Sequence, residues 1–170
     1  MTAQIGQSTT ARFNDPHFRE LIGNLHIRHG RAAPVVMVVT GVSGMALLPA
    51  VQSMARDMGR RIQPVDLSRL ASKYIGETEK NIAIVFAQAN ASGAVLFFDE
   101  ADALFGKRTE VKDAHDRYAN TPIAHAARDA EALLRGLETM YGVAVVAGRS
   151  LRHEEIVLRK ARKVRLHWPP

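Results

Sequence analysis

Eight consecutive residues, Gly41, Val42, Ser43, Gly44, Met45, Ala46, Leu47 and Leu48, stand between an apolar run and a helical pattern. A glycine-bearing turn between a buried strand and a helix is where backbone amides and a helix N-terminus can cradle phosphate groups. A second apolar run, residues 94–98, ends abruptly in Asp99-Glu100. At the end of a parallel strand, a carboxylate such as Asp99 can hold Mg²⁺ through water, and Glu100 beside it can polarise an attacking water. The third group is Lys73-Tyr74-Ile75-Gly76-Glu77-Thr78-Glu79-Lys80-Asn81, placed just before another helical pattern. The order of the three groups along the chain says more than any one of them.

The elements that must position these residues follow from hydrophobic periodicity. Val35-Val36-Met37-Val38-Val39 is a continuous, β-branched run, as expected of a strand buried on both faces. Leu47, Val51, Met54, Ala55 and Met58 then mark one face of a helix ending near Gly59. Residues 62–65 form a second strand, and Pro64 places it at a sheet edge because proline cannot donate to a central ladder. A helix over residues 77–91 carries Ile82, Val85, Phe86 and Ala89 on one side. The third strand is 94–98, and a long helix over 122–140 shows Ile123, Ala127, Ala130, Leu134, Leu137 and Tyr141. Residues 143–146 give a fourth strand and 164–168 a fifth. Alternation of this kind signifies an α/β domain with a parallel sheet. Upstream, residues 1–14 read as a flexible lead, and Asp15-Pro16 opens a packing helix with Phe18, Leu21, Ile22 and Leu25.

Composition narrows the chemistry. The chain has 170 residues, 46% of them apolar, and no cysteine, which removes disulfides, thiolate metal sites and cysteine nucleophiles together. His115 and His125 lack ligand spacing. The net charge is +6, and nearly all of it comes from Arg149, Arg152, Arg159, Lys160, Arg162, Lys163 and Arg165 against Glu154 and Glu155. The uncharged stretch between Arg31 and Arg56 is long enough to cross a bilayer, but Pro34, Gly41, Ser43, Gly44, Pro49 and Gln52 interrupt it. No apolar leader follows Met1, so the expected location is cytoplasmic.

The runs at residues 72–81, 97–108 (FFDEADALFGKR) and 110–120 (EVKDAHDRYAN) together resemble the AAA+ ATPases, in particular bacterial members of the remodelling type. The resemblance covers about residues 33–168. It implies a P-loop NTPase three-layer sandwich with a five-stranded parallel sheet in the order 5-1-4-3-2. Residues 31–170 would be the core, and 1–30 the lead and packing helix. It also implies ATP with Mg²⁺ as cofactor, other AAA+ subunits in a ring as partners, and a polypeptide as substrate. A membrane or nucleic acid is not expected. By position, Asp99 would serve the metal and Glu100 the water. Tyr74, Ile75 and Gly76 would form a central-pore loop. Arg159 and Arg162, with Lys160 between them, would be arginine fingers acting on a neighbouring subunit's nucleotide.

The departures from the family pattern carry physical consequences. A working loop reads G-x-x-x-x-G-K-[ST], whereas Ala46, Leu47 and Leu48 occupy its last three positions. Leu47 cannot bring an ammonium to β- and γ-phosphate, and Leu48 cannot ligate Mg²⁺. Each charge-assisted contact is worth roughly 1.5–3 kcal/mol, so losing both weakens binding by about 10²–10⁴-fold. Leu47 instead falls in register with Val51, Met54 and Met58, which favours a tight turn packed by Leu47 and Leu48. Ala147-Gly148-Arg149 stands where the family carries a polar sensor, and the sequence reaches Trp168-Pro169-Pro170 where a helical lid would follow, so no lid is expected. The leading expectation is a degenerate AAA+ module, weak or inactive towards ATP, with a structural or regulatory place in a ring. The alternatives are an ATPase that works through Asp99 and Glu100 despite its loop, a binding module that uses its basic tail, and a decayed gene product.

Overall fold

The computed structural model describes residues 8–12, 33–70, 74, 76–105 and 122–167. Six strands form one sheet: β1 (Ser8–Arg12), β2 (Val35–Thr40), β3 (Ile62–Asp66), β4 (Val95–Asp99), β5 (Val143–Gly148) and β6 (Arg162–His167). Their order is β1-β6-β2-β5-β4-β3, and every neighbouring pair is parallel. Parallel neighbours need long crossovers, which here include helices α1 (Gly44–Asp57), α2 (Leu67–Leu70), α3 (Glu77–Ser92), α4 (Asp102–Phe105) and α5 (Pro122–Thr139). A 3₁₀ turn, His153–Glu155, precedes β6.

Counted from β2, the five strands of the α/β core stand in the expected order, with β3 at one edge. Pro64 is tolerated there because, among the described residues, β3 pairs only with β4. The other edge departs from expectation. Ser8–Arg12, read as part of a flexible lead, is instead a strand paired with β6 from Ser8↔Lys163 to Arg12↔His167. Its sequence STTAR has no apolar run to announce it. What it satisfies is the row of backbone donors and acceptors that β6 would otherwise leave open. The packing helix expected after Asp15-Pro16 lies outside the described residues.

Alternate residues of β2 feed two cores, because successive side chains point to opposite faces. Met37 and Val39 pack with Leu47, Val51 and Met54 of α1 on one face. Val36 and Val38 join Ile82 and Phe86 of α3, Phe98, and Leu133 and Leu137 of α5 on the other. The buried α5 stripe is Ala130, Leu133, Leu137 and the following Met140, with the expected Leu134 half-buried against the same core. Tyr141, expected on that stripe, is 66% exposed beyond the helix end, and its amide donates to Asn90 Oδ1 at 2.9 Å. This two-sided burial explains why the strand sequences read as unbroken apolar runs. It also brings the C-terminal ends of β2, β4 and β5 together, the end at which open α/β sheets place their sites.

Candidate functional site

At that end, β2 passes into a short turn. The Gly41 amide donates to Gly148 O at 3.1 Å, tying the turn to the end of β5. Ser43 is the N-cap of α1 in extended conformation, but its side chain makes no capping bond. The Ala46 and Leu47 amides donate back to Ser43 O at 3.1 and 3.3 Å. Residues 44–46 thus belong to the first helical turn, and their backbone is wound into the helix instead of a wrapping loop. Val42 and Leu47 are core residues at 7% and 0% exposure, whereas Met45 projects at 79%. Leu48 is half-buried and lines a groove of about 610 Å³ with Met45, Asp66, Arg69, Phe97 and Asp99.

Asp99 is the last residue of β4. Its Oδ1 accepts the Gly44 amide at 3.1 Å and the Glu100 amide at 2.8 Å. The approach to Gly44 is so close that a Cβ there would lie 2.0 Å from Asp99 Oδ2. Only glycine fits. Glu100 is exposed and has φ 58°, the one left-handed non-glycine among the described residues. Such a backbone costs about 1–2 kcal/mol for an L-residue.

Asp102, which the motif reading passed over, ties this turn to the segment after β5. Its Oδ2 accepts the Ser150 amide at 3.0 Å, and the Ala101 amide donates to Ala147 O at 3.0 Å. An acid three residues beyond Asp99, opening a short helix, is the signal that could have found it. Gly148, the last residue of β5, is buried against this carboxylate.

The remaining candidates are distributed over both ends of the sheet. Tyr74 is 64% exposed and precedes α3, whose N-cap is Gly76; Ile75 lies outside the described residues. The turn bearing Arg159 and Lys160 leads into β6, whose first residue is Arg162, in register with Val35 at the start of β2. Thr40 is five residues further along β2, so Arg162 sits about 16 Å along the strands from the phosphate-loop end. The structure does not bring Arg159 or Arg162 to Asp99. Arg159 and Lys160 are exposed, and Glu138 Oε1, at the end of α5, accepts both of their backbone amides. Arg162 is half-buried, and its amide donates to Pro34 O at 2.7 Å, which starts β6 two residues earlier than its apolar residues suggest.

Part of the basic tail is used internally. The Lys163 ammonium donates to His153 O and to Ile156 O, the latter at 2.7 Å, and burial pushes its pKa below the usual lysine value. Arg152 pairs with Glu155 at 3.4 Å. Among the described residues, no group of three or more His, Asp or Glu side chains could hold a metal ion. No helix among them is long and apolar enough to cross a membrane.

A helix-flanked parallel sheet in this order, with its turn-to-helix junction at the end of the first core strand, defines the P-loop NTPase class of α/β folds. Residues 37–147 match the family described as "ATPase family associated with various cellular activities (AAA)". The chain belongs to the AAA family. It is 30% identical over 124 residues to the ribosome biogenesis ATPase RIX7 of Saccharomyces cerevisiae, covering 72% of this chain and 14% of that protein. It is 29% identical over 170 residues to a proteasome-associated ATPase of Pseudarthrobacter chlorophenolicus, covering 86% of this chain and 28% of that one. An uncharacterized AAA family ATPase, y4kL, of Sinorhizobium fredii is 36% identical over 83 residues, covering 49% and 25%. The chain thus spans a minor part of the length of each of these relatives.

AAA proteins as a family bind ATP with Mg²⁺. The residues at this chain's loop do not fit that ligand. A cradle needs inward-facing loop amides, an ammonium and a hydroxyl. Here amides of the loop are wound into α1, Leu47 lies in the core, and Asp99 Oδ1 already accepts two N–H groups.

Proposed function

We propose that this chain is an AAA module whose phosphate loop has become a packed strand-to-helix turn, with weak or no ATP binding and hydrolysis. Its role would be structural or regulatory, as a subunit of a cytoplasmic AAA ring. One observation carries this reading: α1 starts at Gly44 with Leu47 fully buried behind it. The position of Arg159 and Arg162, at the far end of the sheet from their own loop, suits action on a neighbour's nucleotide and not on their own. The exposed Tyr74, with Ile75 and Gly76, suits contact with a threaded polypeptide. One relative is named as proteasome-associated, in keeping with a polypeptide as the ring's substrate. Use of Lys163 and Arg152 in internal contacts leaves less of the basic tail for nucleic acid.

The test is calorimetric titration of MgATP and MgADP into the purified chain, followed by sizing. The expected result is no binding at micromolar concentrations together with oligomer formation. Micromolar binding overturns the reading.

A second reading has its own support. Glu100 retains a left-handed backbone beside Asp99, and strain of this kind clusters at working sites. On this reading the chain hydrolyses ATP through Asp99 and Glu100 with an unorthodox loop. An ATPase rate unchanged in Glu100→Gln would remove it.

A further inference from the structure

An α-helix leaves its first amides without intrahelical partners, and a capping side chain or an anion normally meets them. Helix α1 has no such provision in its own sequence: Ser43 makes no side-chain cap, and the first turn holds no acid. Yet Gly44 is buried. The missing acceptor comes from 55 residues away, as Asp99 Oδ1 takes the Gly44 amide. The same oxygen takes the Glu100 amide, so both of its lone-pair directions are in use. The second oxygen is packed against the Gly44 backbone, where even a methyl group would not fit.

We propose that Asp99 is a built-in phosphate substitute: a tertiary cap that completes the N-terminus of α1, pins β4 to it and keeps external anions off the helix end. This rests on the reading of the loop as a packed turn, and it assigns the strand-end carboxylate a structural role in place of metal holding. The negative charge favours the helix N-terminus for the same reason a bound phosphate would.

The experiment compares thermal midpoints of the wild-type chain, Asp99→Ala and Asp99→Asn, in chloride and in inorganic phosphate at matched ionic strength, with and without Mg²⁺. Loss of a cap of ordinary size in a domain of this length lowers the midpoint of Asp99→Ala by about 3–6 °C. Asp99→Asn keeps an acceptor oxygen and loses the charge, so it falls by less. Phosphate recovers at least half of the Asp99→Ala loss and leaves the wild type unmoved. If Asp99→Ala does not fold, Asp99→Asn and the wild-type response still decide. Variants as stable as wild type, or a wild-type midpoint raised by Mg²⁺ or phosphate, overturn the cap. Binding of MgATP to the wild type, measured separately, overturns the loop reading, whereas stable Asp99 variants that also bind no nucleotide overturn the cap alone.

Discussion

Replacing Leu47 by Ala separates a core position from a phosphate seat. Leu47 has no exposed surface and packs in the cluster that holds Met37, Val39, Val51 and Met54. Truncation removes three carbons from a close-packed site, and the transfer and cavity contributions together come to about 3–5 kcal/mol. In a domain of this size that corresponds to a midpoint drop of about 6–20 °C. Leu48→Ala, at a half-buried position lining the groove, should cost only about 1 kcal/mol. The assay is equilibrium urea unfolding followed by circular dichroism, with the m-value checked for constancy. A companion variant, Ala46→Gly with Leu47→Lys and Leu48→Thr, restores the consensus residues. It should lose stability and gain no micromolar affinity for MgADP, because it puts an ammonium where the apolar cluster sits. A cost below about 1 kcal/mol for Leu47→Ala, or a stable triple variant that binds MgADP tightly, would mean that Leu47 is not a core residue closing the phosphate seat.

Three other substitutions test separate features. Gly136→Ala would set a Cβ 2.1 Å from the Phe86 ring, which packs on Phe98 at 5.5 Å between centroids. The overpacking cost of about 1–3 kcal/mol exceeds the roughly 1 kcal/mol gained in helix propensity, so the urea midpoint should fall. Glu100→Gly relieves the left-handed backbone and should stabilise the chain by about 0.5–1 kcal/mol after the entropic cost of glycine, as read by thermal melting. The Ser68 hydroxyl and amide donate to Asp66 Oδ1 at 2.6 and 3.0 Å, and the hydroxyl bond is the main cause holding that carboxyl below its usual 3.8. Its stabilisation is therefore present above pH 3.8 and lost as pH falls through the lower folded value. Ser68→Ala should raise the Asp66 titration midpoint in carboxyl-detected NMR, and an unmoved midpoint would contradict the assignment.

The core strands and long helices were legible because each carries a strong local signal. Apolar runs doubly buried in a parallel sheet cannot hide, and Pro64 marked its own edge. Leu47 was legible as a core residue because its register with Val51 and Met54 is a property of the helix alone. Asp99 and Glu100 stood out as an acidic stop to an apolar run, but the bond from Asp99 to Gly44 joins residues 55 apart and has no local signature. The β1 strand was missed for the same reason: STTAR owes its conformation to the β6 edge, not to its own side chains. The hold of Glu138 on the Arg159–Lys160 turn likewise exists only once α5 and β6 are in place.

The pairing pattern also sets a timetable for synthesis. β3 and β4 can join as soon as Asp99 has left the ribosome. β2, with its Val35–Thr40 run, pairs only with β5 and β6 and must wait for roughly 100 further residues. At about 5–20 residues per second, that leaves an apolar segment unpaired for about 5–20 s. β1, made first of all, is also the last to find its neighbour, across more than 150 residues of chain. The sheet is therefore built from its β3–β4 edge across to β1, and a nascent chain arrested before Val143 would present the apolar Val35–Thr40 strand to any chaperone or aggregate within reach.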